Sequence, residues 1–93
     1  MPDIVRLHAR VHGQVQGVSF RYYTLRRASG LGVCGFVRNH WDGSVEVVAE
    51  GGREAVDQLL SWLHSGPPSA YVERVDSQWE KPSGEFRRFE VAS

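Results

Sequence analysis

Ninety-three residues, 41% of them hydrophobic, describe one globular domain over residues 1–93 with a single core. The formal net charge of +0 argues against a nucleic-acid binder of this size, which carries a positive excess to meet phosphates. One cysteine, Cys34, excludes an intrachain disulfide and favours a reducing compartment, and no stretch reaches the ~20 apolar residues of a membrane span. Met1-Pro2-Asp3-Ile4 lacks the charged region and apolar run of a signal peptide, so the expected location is cytoplasmic, away from membranes.

Val5, Leu7, Ala9 and Val11 alternate with Arg6, His8, Arg10 and His12, the period of a strand with one buried face. His8 and His12 then point away from the core. Gly13 to Ser19 is a loop punctuated by Gly13 and Gly17. From Phe20 to Ser29 the spacing of Tyr22, Leu25 and Ala28 predicts a helix, with Gly30 as the residue that ends it. Val33–Asn39 reads as a second strand. Asp42-Gly43 signals a hairpin into a third, Ser44–Glu50, with Val45 and Val47 on one face. Arg53–Ser65 carries the apolar stripe Val56, Leu59, Leu60, Leu63 of a second helix, which Gly66-Pro67-Pro68 stops. Tyr71–Glu80 is a fourth strand, and Phe86–Val91 a short extra strand at the end.

The order β-α-β-β-α-β predicts an α+β, ferredoxin-like sandwich: a mainly antiparallel sheet with both helices on one face, placed there by right-handed crossovers. That architecture hosts enzymes, RNA binders and metabolite sensors alike, so the function must come from a site.

Several motifs fail on context. Gly30-Leu31-Gly32-Val33-Cys34-Gly35 spells GxGxxG, but it leaves a helix and enters a strand, the reverse of a dinucleotide site. Gly35-Phe36-Val37 is only a fragment of an RNA-binding strand. No Walker loop is present, and His8, His12, His40, His64 and Cys34 lack zinc-ligand spacing, so neither a metal nor a cofactor is expected. Cys34 reads as a strand residue rather than a nucleophile.

One segment converges on an anion. Gly13-Gln14-Val15-Gln16-Gly17-Val18-Ser19-Phe20-Arg21 joins the first strand to the first helix. Its glycines allow the backbone angles of an anion-binding nest. The helix N-terminus adds partial positive charge, and Arg21 in the first turn adds a guanidinium fork that matches phosphate oxygens. On these residues alone, Arg21 is either a phosphate holder or a solvated surface charge. Asn39 is likewise either a turn residue or a polar group brought beside the loop by a second strand expected to lie next to the first.

The Gly-x-Val-Gln-Gly-Val-x-Phe-Arg segment resembles the signature of the acylphosphatase family. Gly35-Phe36-Val37-Arg38-Asn39, Asp42-Gly43-Ser44-Val45-Glu46, Glu50-Gly51 and Gly66-Pro67-Pro68-x-Ala70-x-Val72 are similar to later blocks of the same family, in the same order. The resemblance implies a small free-standing acylphosphatase. Arg21 would bind phosphate and Asn39 would position the attacking water. The loop residues Val15, Gln16, Gly17, Val18, Ser19 and Phe20 would supply backbone N–H donors. The implied partner is a small-molecule acyl phosphate, with inorganic phosphate or sulfate as a site anion. No metal, cofactor, nucleic acid or membrane is implied. The acyl side is expected to run past His40, Trp41 or Tyr23, and the absence of an exposed apolar stripe in the pattern points to a monomer. A phosphate-sensing or RNA-binding module of the same fold is the competing class.

Overall fold

The computed structural model describes residues 3–93; Met1 and Pro2, part of the N-terminus read above as leaderless, lie outside the described residues. The elements are β1 (Ile4–Gln14), α1 (Phe20–Gly30), β2 (Cys34–Asn39), β3 (Val45–Gly52), α2 (Arg53–Ser65), β4 (Tyr71–Glu80) and β5 (Phe89–Val91). The sheet runs β4-β1-β3-β2-β5. All neighbours are antiparallel except β2 and β5, which pair in parallel with Gly35 opposite Phe89.

The alternation in β1 works as expected: Val5, Leu7, Ala9 and Val11 are buried in the core with Val37, Val45, Val47 and Ala49. Both helices lie on this face. The stripe Val56, Leu59 and Leu63 of α2 is fully buried, and Leu60 packs at its margin. α1 departs from expectation. Its buried face is Phe20, Thr24 and Ala28, and Tyr22 is 52% exposed. A threonine serves as a core residue because its hydroxyl donates to the Phe20 carbonyl at 2.8 Å, which removes the cost of burying it. Phe20 then meets Trp62 of α2 at 5.6 Å between ring centroids. The end of α1 also differs. The helix runs through Gly30, and Gly32 takes the left-handed position at φ 71°. Val33 N–H donates to Ala28 O and Gly32 N–H to Ser29 O, the paired bonds of a Schellman cap.

β3 sits at the centre, with Val45 and Val47 together on its core face, and Val45 to Glu50 are buried on both faces. Its outward carboxylates are covered by partners rather than solvent. Glu50 accepts from Arg6 and from the backbone N–H groups of Ser83 and Gly84. Residues 81–88, expected in part as strand, instead fold over the helix-free face, where Phe86 packs against Phe36 and Arg6. Only Phe89–Val91 remains as strand.

Glu46 gathers a second network on that face. It accepts from Arg38 at 2.7 Å and contacts the His40 ring at 2.7 Å and the His8 ring at 2.6 Å. Burial alone would raise its pKa. Hydrogen bonds from His40, Arg38 and His8 win instead and hold it at about 2, against an ordinary 4.5. A carboxylate depressed in the folded state stabilises the fold above its unfolded pKa and ceases to do so as pH falls through the folded value. Chemical denaturation should therefore show about 2–3 kcal/mol of stability lost between pH 4.5 and 2. Glu46→Gln should flatten that part of the profile.

Candidate active site

The site forms where β1 hands over to α1. Val15 anchors the loop, being 1% exposed. Gly17 follows at φ 74°, with open space where a side chain would stand. Ser19 at φ 61° is the one non-glycine residue of positive φ among the described residues. Such a conformation costs on the order of 1 kcal/mol and needs the surroundings to hold it. It sits at the N-cap of α1, and its side chain makes no capping bond, nor is any acidic residue present in the first turn. The first N–H groups of the helix are thus left for an anion. Arg21, one residue into the helix, is exposed and pairs with no carboxylate among the described residues.

Two side chains fix the loop to the rest of the molecule. Ser69 donates to the Val18 carbonyl at 2.9 Å. Gln16 Nε2 donates to the carbonyls of His40 at 2.7 Å and Ser44 at 2.9 Å, on the two sides of the β2–β3 hairpin. That hairpin carries Asn39, the last residue of β2, opposite Val45. β2 does not lie beside β1, as the sequence reading assumed; β3 comes between them. Gln16 spans the gap, and Asn39 reaches the loop by that clasp. Asn39 Oδ1 is buried and accepts no hydrogen bond from the described residues.

A cavity of about 510 Å³ joins these groups. Of the residues singled out in the sequence, Val15, Gln16, Gly17, Ser19, Phe20, Arg21 and Asn39 line it. Val18 does not; its side chain packs against the core. Arg21 is the one charged residue lining it among the described residues, so the cavity is electropositive. Tyr22, Leu25 and Val91 also line it and were not foreseen as site residues. The helical spacing of Tyr22 and Leu25 is legible in the sequence, but it predicts a helix and not a cavity lining. His40, Trp41 and Tyr23 do not line the cavity. His40 turns to Glu46, Trp41 is 97% exposed at the hairpin tip, and Tyr23 faces a separate depression beside Trp62.

The hairpin turn is cross-braced by side-chain bonds. Asp42 Oδ1 accepts from the hydroxyl and the N–H of Ser44, bonds that hold its carboxyl below the ordinary value. Cys34 is remote from the cavity, and burial raises its thiol pKa, which suits an inert strand residue.

A family model described as acylphosphatase matches residues 7–91. The chain belongs to the acylphosphatase family. An acylphosphatase of Chloroflexus aurantiacus is 55% identical over 89 residues, which cover 96% of this chain and 97% of that one. Among solved structures, an acylphosphatase from Coxiella burnetii superposes with a TM-score of 0.92 at 36% identity, covering 97% of this chain and 94% of that one. The Bacillus subtilis acylphosphatase gives the same TM-score at 29% identity over 96% and 99%. The ferredoxin-like arrangement of this family is the one this chain adopts.

The clasp makes a prediction of its own. Gln16→Ala leaves each carbonyl one backbone donor, from Gly43 and His40, but removes the tie between loop and hairpin. It should cost about 1 kcal/mol in unfolding free energy and roughly ten- to a hundredfold in kcat/KM toward the substrate proposed below, because misplacement of about 1 Å is that expensive at a reacting centre. Thermal melts and steady-state kinetics on one sample separate the two effects.

Proposed function

We propose that the protein hydrolyses the carboxyl–phosphate bond of acyl phosphates, releasing a carboxylate and inorganic phosphate. The observation that carries the reading is the buried Oδ1 of Asn39, without a partner among the described residues, in the same cavity as Arg21 and the uncapped start of α1. Burying an amide oxygen without a donor costs on the order of 1–3 kcal/mol, and a water held for attack supplies that donor.

In this reading Arg21 grips two phosphate oxygens with its guanidinium fork, and backbone N–H groups of the loop Val15–Phe20 take the remaining negative charge. Asn39 Oδ1 accepts a hydrogen bond from water and turns the water oxygen toward phosphorus. That oxygen forms the new P–O bond as the bond from phosphorus to the acyl oxygen breaks. The bonding pair leaves with the carboxylate, and the water proton passes to a phosphate oxygen. A carboxylate leaves without protonation, so no strong acid or base is required of the protein. Phosphoryl transfer draws its rate from positioning and charge stabilisation, which these groups provide.

The same reading treats residues 1–93 as one domain, working as a cytoplasmic monomer with a small-molecule substrate. The free thiol of Cys34 agrees with a reducing compartment. No helix of the described residues is long and apolar enough to cross a membrane. Purified protein given benzoyl phosphate in excess EDTA should release benzoate and phosphate rapidly, with inorganic phosphate as a competitive inhibitor. A folded protein that binds phosphate and turns nothing over would be a sensing module instead.

A further inference from the structure

Asn39 Oδ1 takes no hydrogen bond from the described residues, so no direct partner among them fixes the amide oxygen. Its aim comes from the backbone at the end of β2 and from the residues on either side. Successive side chains of a strand point to opposite faces. Val37 is buried in the core, and Asn39, two residues on, lines the cavity. Arg38 and His40 turn to the helix-free face, where both meet Glu46, the residue of β3 paired with Arg38. One oxygen serves both: Glu46 Oε1 accepts from Arg38 Nε at 2.7 Å and lies 2.7 Å from His40 Nε2. A carboxylate only accepts, so that ring nitrogen carries the proton. Oε2 lies 2.6 Å from His8 Nε2 on β1, the strand that leads into the anion loop. Glu46 is 6% exposed, so these partners rather than water hold it.

We propose that Glu46 is a positioning residue for the reaction: it grips Arg38 and His40 from the far side of the sheet and so sets the aim of Asn39, which lies between them. The inference rests on the acyl phosphate reading above, in which Asn39 places the water. A strand end held at one point can pivot about it, whereas one held on both sides of Asn39 cannot. His40 is moreover bonded from two directions, its carbonyl by Gln16 and its ring by Glu46. Glu50 provides the contrast. It is the other buried carboxylate of β3, but its partners Arg6, Ser83 and Gly84 lie outside the hairpin and the cavity lining.

The test measures kcat, KM and competitive inhibition by inorganic phosphate with benzoyl phosphate as substrate, well below the melting midpoint of every variant. Glu46→Ala should lower kcat about tenfold, a part of what a 1 Å misplacement at a reacting centre costs, with phosphate inhibition unchanged within about twofold. Glu46→Gln keeps an oxygen that accepts from Arg38 and His40, and should return kcat to within about threefold of the unaltered protein. Glu50→Gln should lower the melting midpoint yet keep kcat within about twofold, as loss of a merely structural carboxylate does. The deciding variant is Asn39→Ala/Glu46→Ala, assayed at raised protein concentration. Residues that act as one unit are not additive, so removing Glu46 from Asn39→Ala should cost less than about twofold further. If Glu46→Ala does not fold, Arg38→Ala/His40→Ala removes the same two bonds and carries the same expectations. A kcat within twofold of the unaltered protein, or an equal loss with and without Asn39, overturns the positioning role. Full activity in Asn39→Ala overturns the water-placing role of Asn39 and this inference with it.

Discussion

Arg21→Ala should lower kcat/KM for benzoyl phosphate on the order of a thousandfold, with little change in the thermal midpoint. The size follows from what one well-placed arginine contributes where phosphoryl groups are transferred. The small effect on stability follows from position: Arg21 is exposed on the first turn of α1 and pairs with no carboxylate among the described residues. A structural salt bridge would behave the other way, costing stability and sparing rate. Arg21→Lys keeps the charge but loses the planar fork, and should recover only a minor part of the activity. Inorganic phosphate should bind far more weakly to both variants, measured as loss of competitive inhibition or by calorimetry. A loss of less than about tenfold in Arg21→Ala would mean that the loop alone carries the phosphate, and the proposed role would fail.

Asn39→Ala should be nearly inactive, a hundredfold to a thousandfold down in kcat, by comparison with the removal of one preorganised amide from other active sites. Phosphate affinity should stay within about threefold of the unaltered protein, because the amide serves the water and not the anion. Stability should hold or rise slightly. Asn39 Oδ1 has no donor among the described residues, so alanine removes an unsatisfied buried acceptor. That combination (activity lost, phosphate binding kept, stability kept) is specific to water positioning. Loss of phosphate binding in Asn39→Ala would instead assign the residue to the anion cradle.

The two residues differ in how openly the chain declares them. Arg21 follows a glycine-punctuated loop within a few residues, so its setting is local and legible without the fold. Asn39 comes to the cavity through long-range geometry. β2 lies two strands from β1, and the residue that closes the distance, Gln16, bonds backbone carbonyls 24 and 28 residues away. A side chain that binds backbone leaves no complementary residue in the sequence to notice. The left-handed Ser19 was equally hidden, since serine does not advertise positive φ as glycine does.

The same distinction between local and distant causes runs through the fold. The bounds of α2 and β4 agree with the sequence reading because Gly66-Pro67-Pro68 separates them and α2 has a clear helical period. α1 was placed correctly but rotated. Its core position at Thr24 depends on a hydroxyl turning back to Phe20, which an apolar pattern cannot register. β5 is shorter than expected because residues 81–88 are drawn onto Glu50 and Phe36 across the sheet. Val91 entered the cavity by pairing in parallel with β2, a contact that no local signal encodes.

The central claim is that water, placed by Asn39, attacks phosphorus while Arg21 holds the phosphate. Hydrolysis of benzoyl phosphate in ¹⁸O-labelled water, with excess EDTA and mass analysis of both products, tests it directly. The label should appear in inorganic phosphate, with benzoate unlabelled, and labelling should be lost with activity in Asn39→Ala. Label in the benzoate would mean attack at the acyl carbon and would contradict the proposed roles of both residues.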